Sequence, residues 1–358
     1  MNLIKSAIVS IESVALTDEE KYLLNKHNPL GVTLFLRNIE TPNQLKKLVK
    51  EIKETIARED VLICIDQEGG RVARLKPPFF RTYLAQRAIG QLDEKISKKA
   101  AYLQALLIAQ ELKSMGINLN YAPCVDVLHE ETGAVLKSRC FSEDEKKVTD
   151  LGKKMLQTYH ENGVIACLKH APGHGRAYTD PHLSLPIIDK NVKELQKDFY
   201  PFKMLSSDAV SMMTAHILLP QIDNKPVTQS KKIIQDIIRD EIGFSGFLIS
   251  DAIDMKALKG SLSEKVKNAL EAGCDAVCYC MGEKEGLEEV LKSADYLRDK
   301  SLERFQKMKE VMKFFDAPIK VDENLIQAYQ EILSSAPLIE EDYDAVEVLN
   351  QLKPKKNF

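Results

Sequence analysis

Eight short runs of β-branched and apolar residues punctuate this chain, and segments of helical period separate them. The runs are "SAIVSI" from Ser6, "GVTLFL" from Gly31, "VLICI" from Val61, "INLNYA" from Ile117, "VIACLK" from Val164, "AVSMMT" from Ala209, "GFLIS" from Gly246 and "DAVCYC" from Asp275. Such alternation builds βα units around a parallel sheet. Eight strands with intervening helices over about 290 residues fit an α/β fold of the (β/α)8 TIM-barrel type, in a single domain.

An open doubly wound sheet would give the same local pattern, and periodicity does not separate the two. The polar residues that follow the strands favour the barrel. Asp66 follows "VLICI", Lys169 and His170 follow "VIACL", His216 follows "AVSMMTA", and Asp251 follows "GFLIS". In a barrel these ends converge on one mouth, where barrel enzymes place their chemistry.

The intervening segments carry helix-end signals. Thr41 is an N-cap before Pro42 at the first helical position, and Asn191 with Glu194 forms a capping-box variant. A helix from Ile96 repeats apolar residues at Ala100, Leu103 and Leu107 and stops at Gly116. The expected organisation is a catalytic barrel over 1–317 and a helical extension over 318–358, packed on the barrel. Forty residues hold too little core for an independent domain.

Composition excludes several function classes. Of 358 residues, 44% are hydrophobic and 29% charged, with a formal net charge of -3, so neither nucleic acid nor an acidic membrane is an expected partner. No apolar run approaches the ~18 to 20 residues of a membrane span, and the amino terminus lacks a secretory pattern. A cytoplasmic location and a monomer are the expectations. The seven cysteines are scattered through apolar runs as reduced thiols. Cys274, Cys278 and Cys280 come nearest to a cluster, but without a second ligand pair they do not read as a metal site.

Four constellations could carry chemistry. Asp251, with Asp254 three residues on, either serves a site or joins Ser250 in capping the next helix. In "DQEGGRVARL", Asp66 and Arg74 either form an ion pair or chelate adjacent sugar hydroxyls. In "KHAPGHGRAYTDPH", His170 and His174 have helical metal-ligand spacing, but Pro172, Gly173 and Gly175 oppose a helix, so no metal is expected. Asp180 and His182 are either a carboxylate orienting an imidazole or part of a solvated loop.

Together these segments resemble glycoside hydrolase family 3, in particular its single-barrel β-N-acetylglucosaminidases that recycle cell-wall fragments. The carriers are "GVTLFLRN", "IDQEGGRVARL", "NYAPCVDV", "SRCFS", "KHAPGHG" with "TDPH", "SMMTAHILLP" and "IRDEIGFSGFLISDAIDM". The resemblance implies that Asp251 is the nucleophile, that His182 is the general acid/base, and that Asp180 is its partner. It implies sugar-binding roles for Asp66, Arg74, Arg139, Lys169 and His170, and a loop-shaping role for His174. It implies no cofactor. Ala171 stands where an aromatic residue is more common, and Pro181 where a Ser commonly separates the Asp from the His. The glycines between the two halves of the "KHAPGHGRAYTDPH" stretch read as slack that lets the Asp-His pair approach and leave.

The expected reaction is a retaining double displacement on a terminal β-linked N-acetylglucosamine of a muropeptide such as GlcNAc-1,6-anhydroMurNAc. A histidine suits the acid/base role because an imidazole's ordinary pKa of about 6.5 lies near neutral pH. The alternatives are a phosphorylase, in which phosphate replaces water, and a non-catalytic sensor of sugars or muropeptides.

Overall fold

A computed structural model describes residues 3–339 of the chain. Each of the eight runs holds a strand: β1 (Lys5–Ser10), β2 (Pro29–Leu34), β3 (Leu62–Ile65), β4 (Leu119–Asn120), β5 (Ile165–Ala171), β6 (Ser211–Thr214), β7 (Phe247–Ala252) and β8 (Ala276–Cys278). All pair in parallel with their sequence neighbours, and β1 pairs with β8, so the sheet closes into a TIM-type barrel. The open-sheet alternative is thereby excluded.

Around the barrel run α1 (Asp18–His27), α2 (Pro42–Ile56), α3 (Gln86–Gln91), α4 (Glu94–Ser114), α5 (Ala134–Lys137), α6 (Glu145–Glu161), α7 (Gln196–Leu205), α8 (Leu262–Ala272), α9 (Lys284–Ser293), α10 (Asp299–Met312) and α11 (Glu323–Ser335). A π-wound segment, Ile233–Glu241, precedes β7. Thr41 caps α2 by accepting from the Gln44 amide at 3.2 Å, and α4 gives way to Gly116 at φ +79°. The Asn191–Glu194 box forms, but α7 begins later, at Gln196. Asn191 Oδ1 accepts from both the Lys193 and Glu194 amides and winds that stretch into a tight turn first.

Two apolar layers fill the fold. Between barrel and helices lie residues such as Val9, Val32, Ile63, Leu168 and Leu248, each fully buried. Inside the barrel lie Ile8, Leu62, Ile165, Phe247 and Ile249, the alternate positions of the same strands. Helix α10 stoppers the end of the barrel opposite the carboxyl ends of the strands. Phe305 and Met308 join the inner layer, with the Phe305 and Phe247 rings 6.2 Å apart.

Asp275, just ahead of β8, ties this closed end together. Its carboxylate accepts from Arg239 of the π-wound segment at 2.9 Å, from Arg304 of α10 at 2.8 Å and from the Leu248 amide of β7 at 2.8 Å. Helix α11 packs on α4, where Tyr329 donates to Gln104 at 2.6 Å and accepts from the Leu84 amide at 3.0 Å. The rest of the expected C-terminal extension, 340–358, lies outside the described residues. No helix among the described residues is long and apolar enough to cross a membrane.

Asp275→Ala leaves a buried guanidinium and a strand amide without their acceptor, and stability should fall by about 3–5 kcal/mol. Urea unfolding followed by circular dichroism checks this. A loss within about 0.5 kcal/mol, the range of ordinary surface changes, would contradict the tie.

Candidate active site

The strand ends open into one pocket. Its lining includes Thr33 of β2 and Phe35 just after it, Asp66 and Arg74 after β3, Tyr121 after β4, Arg139 after α5, Lys169 and His170 of β5, Asp251 of β7, and Cys278 of β8. All eight residues expected at a site are therefore accounted for around this mouth. Asp180 sits beside its lining, hydrogen-bonded to His182, and the other seven line it directly. His216 is the exception among the polar strand ends, because it is fully buried behind Asp251.

Charge fixes the floor. Lys169 is 2% exposed, and its Nζ lies 2.7 Å from Asp66 and 2.7 Å from Glu68. Arg74 reaches the other oxygen of Asp66 at 3.2 Å, and Arg139 forks onto Glu68 at 2.8 and 3.0 Å. Burial alone would raise both carboxyls, but Lys169, Arg74 and Arg139 hold Asp66 and Glu68 well below the usual carboxylate range. Burial likewise opposes the Lys169 charge, and the two carboxylates reverse that and raise its pKa. Ionised Asp66 keeps lone pairs for further donors, so the ion pair and the hydroxyl-chelating reading are compatible.

A second buried carboxylate organises the histidines. Asp126 accepts from His170 Nδ1 at 2.7 Å, from the His174 amide at 2.7 Å and from the Cys124 thiol at 3.2 Å. Arg139 Nη2 stands 3.3 Å from His170 Nε2, on the side of the ring opposite Asp126. Cys124, Asp126 and His170 offer three ligand atoms within 4.8 Å of one another, the one such group among the described residues. Each of those atoms is already committed to the hydrogen bonds just described.

Asp251 is 8% exposed, and Ala252 donates its amide to the carboxylate at 2.8 Å. Burial would raise its pKa, but the imidazoles of His216 and His170 and the Ala252 amide outweigh burial and lower it. His216 Nε2 donates to the Ala252 carbonyl at 2.9 Å, while its Nδ1 meets Thr228 at 2.7 Å. The capping alternative for Asp251 does not hold, since α8 starts only at Leu262 and is capped by Ser261 with Glu264. Ser250 instead accepts from the Cys278 amide, and Asp254 from the Cys280 amide.

The Asp180–His182 pair forms across Pro181. Asp180 Oδ1 meets His182 Nδ1 at 2.7 Å and accepts the His182 amide at 2.9 Å. The Pro181 carbonyl accepts from Ala257, which ties this loop to the segment after Asp251. The glycines upstream are not slack. A Cβ on Gly175 would sit 1.8 Å from the Val127 carbonyl oxygen, and one on Gly173 2.8 Å from Asp198 Cβ. Both serve close packing, and Asp198 clamps the same stretch through Arg176 at 2.7 Å and His129 at 2.8 Å.

Glu68 and Asp126 carried no assigned role in the sequence, although Glu68 stands in the "DQEGGRVARL" constellation beside Asp66. Both are acidic residues next to strand ends, in "IDQEGG" and "PCVDV", and their signal was position after a strand. His174, expected only to shape the loop, lines the pocket. It is 2% exposed, and neither ring nitrogen has a hydrogen-bond partner among the described residues.

Burial, reinforced by His170, pushes His174 down from 6.5 to about 4, and burial does the same to His160. The unfolded chain therefore takes up these protons first. Their contribution to stability is complete above pH 6.5 and declines as pH falls towards 4. Asp66 and Glu68, with depressed values, add a separate decline below the ordinary carboxylate range. His174→Asn should flatten the upper part of the acid limb, leave the His160 share, and preserve the lower limb. Urea midpoints measured against pH test this, and an unchanged upper limb would contradict the buried neutral imidazole.

Comparison with known proteins bears on this geometry. Residues 4–311 match the model of the glycosyl hydrolase family 3 N-terminal domain. The Pseudomonas aeruginosa protein named beta-hexosaminidase is 33% identical over 307 residues, covering 85% of this chain and 90% of the relative. The crystal structure of NagZ from Neisseria gonorrhoeae in complex with N-trifluoroacetyl-D-glucosamine superposes with a TM-score of 0.81 at 29% identity, covering 93% of this chain and 98% of that one. A glycoside hydrolase family 3 β-N-acetylglucosaminidase from Paenibacillus gives a TM-score of 0.80 at 26% identity over 91% of this chain, which spans 66% of that longer protein. The family match runs from β1 into α10 and so takes in every strand that contributes to the mouth; the chain belongs to glycosyl hydrolase family 3.

Proposed function

We propose that this chain is a retaining β-N-acetylglucosaminidase that removes terminal β-linked N-acetylglucosamine from cell-wall muropeptides such as GlcNAc-1,6-anhydroMurNAc. The observation that carries this reading is the hydrogen-bonded Asp180–His182 pair, held at the same pocket as the ionised carboxylate of Asp251. A pure sugar sensor needs no such opposition of nucleophile and proton donor. The sugar class is supported by the beta-hexosaminidase relative and by the sugar analogue bound to the Neisseria protein.

In this mechanism Asp251 attacks the anomeric carbon, and the glycosidic oxygen departs with the proton from His182 Nε2. Asp180 keeps the opposite ring nitrogen protonated and steadies the charged form. A covalent glycosyl-enzyme results. Neutral His182 then takes a proton from water, which attacks the anomeric carbon from the vacated face, and Asp251 leaves. Asp66, Arg74, Lys169, Arg139 and His170 hold the sugar hydroxyls with dipoles oriented before the substrate arrives. The seven unpaired cysteines suit a reducing compartment, and we place the reaction in the cytoplasm.

Asp251→Ala should reduce turnover of a nitrophenyl N-acetylglucosaminide to background, and ordinary activity in that variant would remove the nucleophile assignment. His182→Ala should lose about 10²–10⁴-fold on a muropeptide with a poor leaving group. The loss on the activated nitrophenyl sugar should be far smaller in the glycosylation step. Equal losses on both would argue against a proton donor. Proton NMR of anhydro-muropeptide cleavage in phosphate buffer should show free β-sugar first; sugar 1-phosphate would instead indicate the phosphorylase.

A further inference from the structure

Two cysteines face the sugar pocket, and the double displacement uses neither. Cys278 ends β8 and is buried, Cys280 is half-buried, and both line the pocket. Their Sγ atoms are 3.6 Å apart. The other five cysteines are buried and do not line it. Around Cys278 the floor is polar, with Tyr121 Oη 3.6 Å and Thr33 Oγ1 3.8 Å from its sulfur.

The backbone of this thiol pair is tied to the segment that carries Asp251. The Cys278 amide donates to Ser250 Oγ at 3.0 Å, and its carbonyl accepts from Ile253 at 2.9 Å. The Cys280 amide donates to Asp254 Oδ1 at 2.8 Å, and its carbonyl accepts from Arg37 at 2.6 Å. Tyr279 between them is held from the other side, its amide on Ile8 at 2.9 Å and its hydroxyl on the Glu283 carbonyl at 3.2 Å. Backbone adjustment that accompanies closing a bond between the two sulfurs is passed through these hydrogen bonds to the residues flanking Asp251.

We propose that Cys278 and Cys280 form a reversible oxidation site, at which hydrogen peroxide entering the pocket joins them in a disulfide and thereby shuts down chemistry at Asp251. The effect on turnover rests on the glycosidase reading; the bond itself does not. One sulfur attacks the peroxide, the O–O bond breaks, and a sulfenic acid and one water result. The second sulfur then displaces the hydroxyl, the S–O bond breaks, the S–S bond forms and a second water leaves. Two thiols are oxidised by two electrons and the peroxide is reduced to two waters; a small dithiol reverses the step by exchange. The hydrogen bond to Cys278, with burial, pushes the Cys280 thiol up; whichever sulfur is oxidised first, the other gives up its proton as it attacks, and that proton leaves with the displaced hydroxyl as water. Closure brings the sulfurs from 3.6 Å to about 2.05 Å, and a shift of that order beside a reacting carboxylate is enough to misplace it.

The test treats the reduced, full-length chain with hydrogen peroxide. Remaining thiols are then alkylated and mapped by mass spectrometry, while turnover of the nitrophenyl sugar is followed in parallel. The expected result is an internal Cys278–Cys280 linkage with a loss of turnover of roughly tenfold or more. Dithiothreitol should restore both, and N-acetylglucosamine should slow both. In C278S/C280S, with rates normalised to its own untreated sample, the dithiothreitol-reversible loss should vanish. Both thiols still open to alkylation after peroxide, or an equal reversible loss in the double variant, would overturn the proposal. So would a mapped disulfide with full turnover. If the untreated chain shows no turnover, the glycosidase reading fails separately; the linkage map and calorimetric binding of N-acetylglucosamine before and after peroxide then decide the thiol proposal.

Discussion

Lys169 is almost entirely removed from water at the end of β5, and two carboxylates at 2.7 Å keep its charge there. Burying an ammonium costs several kcal/mol unless opposite charge and good hydrogen bonds surround it. The companions needed to meet that cost come from different parts of the chain: Asp66 and Glu68 follow β3, Arg74 follows in the same loop, and Arg139 arrives from beyond α5. Satisfying one buried cation therefore sets two loops in register with the end of β5. The pocket floor is a by-product of that electrostatic closure, and it stands organised before any sugar binds.

Much of the fold was legible in the sequence because the strands are short apolar runs bounded by helix-end signals, and the chain has eight of them. Residues such as Asp66, Lys169 and Asp251 were legible for a related reason, since each is a polar group placed at the carboxyl end of a buried strand. The same rule overreached at His216, which satisfies both ring nitrogens internally and is fully buried. It also assigned no role to Asp126 and Glu68. Their importance depends on partners far along the chain, His170 and Arg139, and periodicity holds no information about such pairs.

Glycine was the other place where local reasoning misled. Gly173 and Gly175 suggest freedom because they lack a side chain, yet here that lack lets Asp198 and the Val127 carbonyl approach them closely. Backbone permissiveness and tight packing have the same sequence signature. The neighbours decide between them, and those neighbours come from β4's loop and from α7. The base of this loop is thus anchored by Arg176 and Asp198, while Pro181 stiffens the part that carries the Asp-His pair.

The stopper formed by α10 has a consequence for traffic. With Phe305 and Met308 seated in the inner layer of the barrel, that end is closed by apolar side chains. In the proposed cycle the aglycone and the water would both pass the mouth at the strand ends, and a change at Phe305 or Met308 would act on the packing beneath the pocket without touching the sugar.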